Sequence, residues 1–324
     1  MKFLKTGNSS VLKYLGRIKE SPIILFTIVV YIIFSALAPN FNNLKNVSVI
    51  VEQIAINGIA AIGMTIVIMI GGMDLSVGSI LALCGVTAAM MDNQNMPLPL
   101  IIAVTLIVGI LAGTINGLII TRLKIPDIIV TLAMMNIYRG IAVIVSDSRW
   151  ITDFSSSFKA IGSSKNSLLS IPVLTFAAVI AVIIFILKKT PYGRLFYAVG
   201  GNQEAAKIMG LNVNKVKILV YAINGLLLAI SGILFASMYG SIQASKTALT
   251  LQFQTMGSAL IGGANIFGGS GTVIGTVFGV FLLGMIKNGL IQVHASEYWL
   301  DFLTGAIILL ALVVNLIKIK KKGE

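Results

Sequence analysis

Few residues in this chain have types and spacings that could support catalysis or metal binding. The single histidine, His294, is followed by Glu297 and Asp301, a combination that could bind a metal ion but is more typical of a solvated loop. The single cysteine, Cys84, stands in an apolar segment, where a thiol behaves as a small buried hydrophobic group. We therefore expect no metal site, no catalytic residue and no enzymatic activity.

A glycine-rich stretch at 262–271 invites comparison with phosphate-binding loops. It reads GGANIFGGSG and lacks the lysine that a Gly-x-x-x-x-Gly-Lys-Ser/Thr loop places on the phosphates. No such loop occurs elsewhere in the sequence. The chain is therefore expected to bind no nucleotide and to hold no cofactor of its own.

Asp74 is the carboxyl group with the most unusual surroundings. It lies in the sequence GGMDLSVGS, residues 71–79, between two apolar segments, and Ser76 belongs to the same motif. A carboxylate at the centre of a bilayer costs about 2.5–3.5 kcal/mol on insertion scales, so such residues usually have a role. Asp74 could cap the helix that follows by accepting backbone N–H bonds. Alternatively, it could line a pathway or pair with Arg139.

Four Asn-Gly dipeptides occur in apolar surroundings. Glycine lets helices approach closely, and a buried asparagine hydrogen-bonds across the contact for about 1 kcal/mol or less, so packing is favoured over substrate contact for each. The first two recur at similar offsets in the second half, which suggests an inverted repeat of five helices. The polar candidates for a pathway or a structural role are Asn57, Asp74, Ser76, Asn116, Asn136, Arg139, Asn224 and Asn288.

The elements that must position these residues are apolar helices. The 324 residues are 57% hydrophobic and 11% charged, whereas soluble domains are about 25% charged. A helix needs about 20 apolar residues to cross a bilayer. We therefore expect an all-α polytopic membrane protein with about ten transmembrane helices. The expected segments are 22–38, 50–70, 77–91, 98–120, 127–145, 171–187, 218–240, 253–268, 272–292 and 300–317.

The positive charges indicate the orientation of the chain. The net charge of +13 is spread over short clusters between apolar segments, which argues against nucleic-acid binding. Cytoplasmic segments are enriched in lysine and arginine. This rule predicts a cytoplasmic N-terminal tail at 1–21, a transmembrane domain at 22–317 and a cytoplasmic tail at 318–324. Within the domain it places the basic loop 188–217 inside and the polar loop 146–170 outside.

The inner loop 188–217 contains a motif that resembles the signature loop of ABC importer permeases. Glu204-Ala205-Ala206 is followed by Gly210; alanine allows close approach and glycine ends a helix. The resemblance implies that a short helix here docks into a cleft of a separate ATPase subunit, which binds the ATP. The coupling residues that it implies are Gly201, Asn202, Glu204, Ala205, Ala206 and Gly210.

Further segments are similar to the ribose-type carbohydrate permeases. The motif at 71–79 resembles the hallmark of that family, and 131–140, 268–272, 287–290 and 305–311 resemble other stretches of it. The resemblance implies import of a monosaccharide by alternating access in the bacterial cytoplasmic membrane. It also implies a second permease subunit, either an identical copy or a related chain, an ATPase and an extracytoplasmic sugar-binding protein, which residues 146–170 would meet.

Three alternatives remain open. A related importer could carry an autoinducer-type furanose, a nucleoside or a branched-chain amino acid. A secondary carrier driven by an ion gradient would need proton-relay carboxylates in mid-membrane, which the sequence does not clearly provide. An intramembrane enzyme would need a nucleophile or a metal cluster, and no set of residues suggests either.

Overall fold

The computed structural model describes residues 21–162 and 170–296, together with 298–299, 301–306, 309–310 and 313. Its twelve continuous helices are α1 (Ser21–Leu37), α2 (Leu44–Met69), α3 (Val77–Asn93), α4 (Leu98–Leu123), α5 (Asp127–Val145), α6 (Ser156–Gly162), α7 (Ile171–Lys189), α8 (Pro191–Gly201), α9 (Gln203–Ile208), α10 (Val213–Tyr239), α11 (Leu251–Ile261) and α12 (Val273–Gln292). Two short strands, β1 (Trp150–Ile151) and β2 (Ile242–Gln243), pair antiparallel. This architecture confirms the all-α class.

Six helices in the described part of the chain are long and apolar enough to cross a membrane. They are α2, α4, α5, α7, α10 and α12, while α1 and α3 are shorter apolar helices. All eight coincide closely with predicted segments. The structure describes only half of the tenth predicted segment, 300–317, and almost none of the tails at 1–21 and 318–324. The number of ten crossings therefore stays a prediction.

The eighth predicted crossing, over 253–268, is wrong in its extent. Helix α11 ends at Ile261, and a loop follows in which Gly263, Gly268 and Gly269 have positive φ. Glycine adopts this backbone conformation without steric cost, so the apolar run bends out of the helix here. The eleven residues of α11 rise only about 16 Å, roughly half the thickness of the hydrocarbon core.

Helix α10 is the centre of the molecule, and it packs against α2, α3 and α4. Most residues of α2 and α3 are buried, whereas α4, α5 and α7 each bury only 28% of their apolar window. The outer faces of these peripheral helices carry exposed apolar side chains such as Leu111, Ile129 and Phe185. Lipid tails solvate such side chains as well as a protein core does, so this distribution fits a bilayer.

The close approach of α4 and α10 depends on glycine. A Cβ atom at Gly113 of α4 would collide with the carbonyl oxygen of Tyr221 on α10, and Gly109 and Gly225 face each other in the same way. Small residues that let two backbones approach are the usual basis of helix association in membranes. The α4–α10 contact is therefore built on backbone-to-backbone packing.

The glycines of the four Asn-Gly dipeptides all lie at such contacts. An added Cβ would meet Phe176 at Gly58, Ile218 at Gly117, Gly109 at Gly225 and Phe34 at Gly289. Each glycine thus faces a neighbouring helix, as the packing interpretation predicts. The inverted repeat inferred from these dipeptides stays a prediction.

Candidate functional site

Asp74 is fully buried in loop 70–76, between α2 and α3. Its Oδ1 accepts hydrogen bonds from the backbone N–H of Ser76 at 2.8 Å and from the Ser76 hydroxyl at 2.5 Å. Its Oδ2 accepts a hydrogen bond of 2.8 Å from the side-chain amide of Asn224 on α10. Three donors directed at one carboxyl group compensate for its removal from water.

The hydrogen-bonded network continues to α4 and α5. The Asn116 amide donates to the Ser76 hydroxyl at 2.9 Å. The Tyr138 hydroxyl lies 2.8 Å from the Ala112 carbonyl oxygen and 3.0 Å from Asn116 Oδ1. Four of the predicted residues, Asp74, Ser76, Asn116 and Asn224, thus form one buried cluster, to which the structure adds Tyr138. The cluster joins the start of α3 to α4, α5 and α10.

Asp74 and Arg139 do not form the ion pair that was one predicted alternative. The Arg139 guanidinium instead donates to the backbone carbonyls of Ala244 and Thr247, each at 2.6 Å. Asp74 accepts a backbone N–H as the capping alternative requires, but that N–H belongs to Ser76, one residue before α3 begins. The Asp74 side chain therefore orders the turn that leads into α3, and Arg139 ties α5 to the segment after β2.

Two other predicted polar residues lie apart from this cluster. Asn136 is exposed on α5. Within the described part of the chain, its amide donates only to the Leu132 carbonyl of the same helix, at 3.1 Å. Asn288 of α12 exchanges two amide hydrogen bonds of 2.9 Å with Asn46 near the start of α2. Asn288 is thus a packing residue that joins α12 to α2.

A polar cavity of about 350 Å³ lies among α2, α10, α11 and α12. Ligand sites in proteins usually have volumes of about 300–1,000 Å³, so a small molecule can fit. Its polar lining residues are Gln53, Asn57, Tyr239, Lys246, Thr250, Gln254 and Lys287. Asn57 is the one predicted residue among them. The others were missed by the sequence analysis, because they come from distant segments that share no motif. Only Lys287 had a signal in the sequence, since a lysine within an apolar helix is unusual.

The motif that resembles a coupling loop folds as the short helix α9. Asn202 is its N-cap and accepts a hydrogen bond of 2.9 Å from the Ala205 N–H. Ala206 is buried against the rest of the protein. Gly210 follows the helix with φ of +80°, and the Leu211 N–H returns to the Ala206 carbonyl. This is the glycine-terminated helix end that the sequence predicted.

The end of α9 and the residue after it are highly exposed. Ile208 is 86% exposed and Met209 is 68% exposed, although both are apolar. Glu204 and Lys207 form an ion pair of 2.7 Å on the same helix, and both side chains are more than half exposed. Apolar side chains beside charged ones are typical of a surface that binds another protein.

Glycines fix α8 to two membrane elements. A Cβ atom at Gly200 would collide with the carbonyl oxygen of Met69 at the end of α2, and the Gly269 N–H donates to that same oxygen at 2.9 Å. The Tyr197 hydroxyl donates to the Gly271 carbonyl at 3.0 Å. Burial raises the pKa of the Tyr197 hydroxyl. We call the contacts among residues 69–71, 200 and 268–271 the glycine junction.

The segment 146–162, which the sequence analysis predicts to lie outside, is anchored to the body of the protein. Asp92 of α3 accepts hydrogen bonds from the N–H and hydroxyl of Ser155, at 2.7 and 2.6 Å. The Ser237 hydroxyl of α10 donates to the Phe158 carbonyl of α6 at 2.6 Å. Trp150 remains 56% exposed beside these contacts. The described part of 146–170 therefore forms a structured surface.

The predicted metal-binding combination of His294, Glu297 and Asp301 is only partly described by the structure. Among the described residues, no three histidine, cysteine, aspartate or glutamate side chains lie close enough together to hold a metal ion. His294 is exposed, and Glu297 lies outside the described residues. Cys84 is buried as a free thiol. Long apolar helices, a polar cavity and a short exposed helix are together the features of a membrane transport component.

Comparisons with known proteins agree with this class. The chain belongs to the family described as branched-chain amino acid transport system / permease component, which matches residues 46–312. It is 36% identical to the ribose import permease protein RbsC of Haemophilus influenzae over 96% of both chains. It is 32% identical to the autoinducer 2 import system permease protein LsrC of Photorhabdus luminescens, over 94% of this chain and 92% of that protein. No solved structure matches the chain. The family expected from the motifs is thus confirmed.

Proposed function

We propose that this chain is the permease subunit of an ATP-driven importer and that its cargo is a monosaccharide of the ribose type. The polar cavity among α2, α10, α11 and α12 carries the proposal. The amides of Gln53, Asn57 and Gln254 each offer both donors and acceptors, as the hydroxyl groups of a sugar require. Phe235 and Leu81 provide apolar walls in the same cavity. The similarity to a ribose import permease supports this cargo.

The coupling to ATP hydrolysis would begin at α9. Its exposed Ile208 and Met209 suit a cleft on a separate ATPase subunit, and Glu204 lies on the same short helix. Movement of α9 would pass through α8 to the glycine junction, because Gly200 touches the end of α2 and the loop after α11. Helices α2 and α11 both line the cavity. A continuous set of packed elements therefore connects the proposed ATPase-facing surface to the cavity.

The other partners follow from the same assignment. An orientation with both termini and α9 in the cytoplasm puts the anchored segment 146–162 outside, where a sugar-binding protein would deliver cargo near Trp150. A second permease copy would complete the pathway. The membrane would be the bacterial cytoplasmic membrane.

A second cargo is favoured by the other relatives. The autoinducer 2 permeases of Photorhabdus luminescens and Yersinia pseudotuberculosis are each 32% identical over 94% of this chain. Autoinducer 2 is therefore the first competitor to include in an uptake assay. The same cavity would serve either compound, and the delivering binding protein would choose between them.

Uptake by whole cells tests the proposal. Cells without their own sugar importers would express the chain with its partner ATPase and binding protein, and would receive labelled ribose or labelled autoinducer 2. Replacement of one cavity amide, Asn57→Leu or Gln254→Leu, should lower uptake about fivefold, since a buried hydrogen bond contributes about 1 kcal/mol. Asn136→Leu, on the exposed face of α5, is the matched control. Uptake unchanged by both cavity variants would refute the cavity as the pathway.

A further inference from the structure

Two aromatic side chains form part of the wall of the polar cavity. Phe235 and Tyr239 lie one turn apart on α10, and both line this cavity of about 350 Å³. Their ring centroids are 4.5 Å apart, and the ring planes are inclined to each other by 38°. Residues four positions apart lie on the same face of a helix, so the two rings form one continuous aromatic surface.

Tyr239 is held in place without being covered. The residue remains 46% exposed, so its contact with Phe235 leaves much of the ring open. A hydrogen bond joins its hydroxyl group to the side chain of Gln53 on α2. A tyrosine that only anchored a helix at the membrane surface would direct this hydroxyl group to the lipid headgroups. The Tyr239 ring is therefore positioned by two helices at the edge of the cavity.

The combination of aromatic and amide groups matches the two kinds of surface that a sugar ring presents. The hydroxyl groups of the ring form its rim, and the amides of Asn57 and Gln254 line the cavity to meet them. The C–H groups form the faces of the ring, and their neighbouring oxygens give them a partial positive charge. The face of an aromatic side chain is negative, so it attracts these C–H groups. An open-chain polyol has the hydroxyl groups but no ring face.

We propose that Tyr239, backed by Phe235, is a stacking platform that makes the cavity select sugars in their ring-closed form. The inference rests on the proposed function, because it takes the cavity as the cargo site. The C–H face of the sugar ring lies against the Tyr239 ring, while Asn57 and Gln254 bind the hydroxyl groups. Tyr239 is thus a specificity-determining residue, and acyclic polyols with the same hydroxyl groups bind more weakly.

Ligand-detected NMR on the full chain in lipid nanodiscs tests the platform, because this method measures weak binding. The probes are ribose, ribitol and anhydroribitol. Ribitol is the open-chain polyol and has one hydroxyl group more than cyclic ribose, whereas anhydroribitol keeps a ring and has one hydroxyl group fewer. Selection of the ring predicts that ribose and anhydroribitol both bind more tightly than ribitol. If hydroxyl groups alone determined binding, ribitol would bind most tightly.

Substitutions at Tyr239 separate stacking from its other contacts. Tyr239→Leu should weaken the binding of ribose and anhydroribitol about fivefold and leave the binding of ribitol nearly unchanged. Tyr239→Phe keeps the ring and removes the hydroxyl group that meets Gln53, so it should keep the preference for ring-closed sugars. Tyr192→Leu, at an exposed tyrosine of α8, is the control for loss of an unrelated aromatic ring.

Each contrary result overturns the platform in a recognisable way. A preference for ribose over ribitol that survives Tyr239→Leu excludes stacking but leaves sugar binding intact. Equal weakening of all three probes by Tyr239→Leu shows a structural role of the side chain instead. Loss of the preference in Tyr239→Phe assigns the selection to the hydroxyl group. If no probe binds the wild-type chain, the cavity is not a sugar site, and cellular uptake of ribose decides the importer assignment separately.

Discussion

At the scale of single residues, Asp74 connects helices that are far apart in the sequence. Its carboxyl group meets Ser76 and Asn224, and Ser76 in turn meets Asn116. A buried network of this kind contributes to stability only while every member keeps its partner. The network holds the start of α3 together with α4 and α10.

The substitution Asp74→Asn tests this network. An asparagine at this position directs an NH₂ group at one of the three existing donors, so at least one buried donor loses its acceptor. We expect the free energy of unfolding to fall by roughly 1–3 kcal/mol, measured by thermal unfolding in detergent. Asp153→Asn, at an exposed carboxylate, should leave it unchanged. Equal stability of the Asp74 variant and the wild type would contradict a structural role for the charge.

The sequence was sufficient to single out Asp74, Ser76, Asn116 and Asn224, because polar residues in apolar segments are conspicuous. It did not show that these four meet, since their contacts join α3, α4 and α10. It also missed Tyr138 and Gln254, whose roles follow only from which helices are neighbours. Asn136, in contrast, was singled out by the same reasoning and lies on an exposed face.

At the scale of elements, the glycine junction links the exposed α8–α9 segment to the membrane helices. Gly200 and Gly201 are adjacent, but only Gly200 has no room for a side chain: nothing lies within 4 Å of a Cβ atom at Gly201. Substitution of Gly201 therefore tests the loss of a glycine alone, whereas substitution of Gly200 also removes the close contact with Met69.

Replacing each of these two glycines by alanine tests the junction. Gly200→Ala should push α8 away from the end of α2 and lower ATP-driven uptake several-fold, while Gly201→Ala should have little effect on uptake. Uptake of labelled ribose, normalised to the amount of chain in the membrane, is the measurement. If both variants transport at the wild-type rate, then the junction does not transmit the movement.

Glu204→Lys tests the docking surface of α9. The Glu204–Lys207 pair is exposed and contributes little to folding, so the variant should insert and fold normally. Reversal of the charge should weaken binding of the ATPase subunit and abolish uptake, measured by co-purification and by transport. Lys207→Gln, which breaks the same ion pair without reversing Glu204, is the matched control. Normal ATPase binding and transport by Glu204→Lys would defeat the coupling hypothesis.

At the scale of the whole molecule, hydropathy was enough to predict eight of the apolar helices, because each satisfies its backbone hydrogen bonds internally. The predicted extent of the segment 253–268 was wrong, because apolar composition does not distinguish a helix from a glycine loop. At Gly268 and Gly269 such a loop packs on other glycines. The cavity could not be predicted, since it exists only where α2, α10, α11 and α12 assemble.

The most direct test of this mechanism uses proteoliposomes that contain the chain and its ATPase subunit. The sugar-loaded binding protein is added on the side of the membrane opposite to the ATPase subunit. The measurement is accumulation of labelled ribose in the absence of any ion gradient, with and without ATP. The account predicts accumulation that requires ATP and is lost in Glu204→Lys. Accumulation that ignores ATP and follows an imposed proton or sodium gradient would contradict it and identify the chain as a secondary carrier.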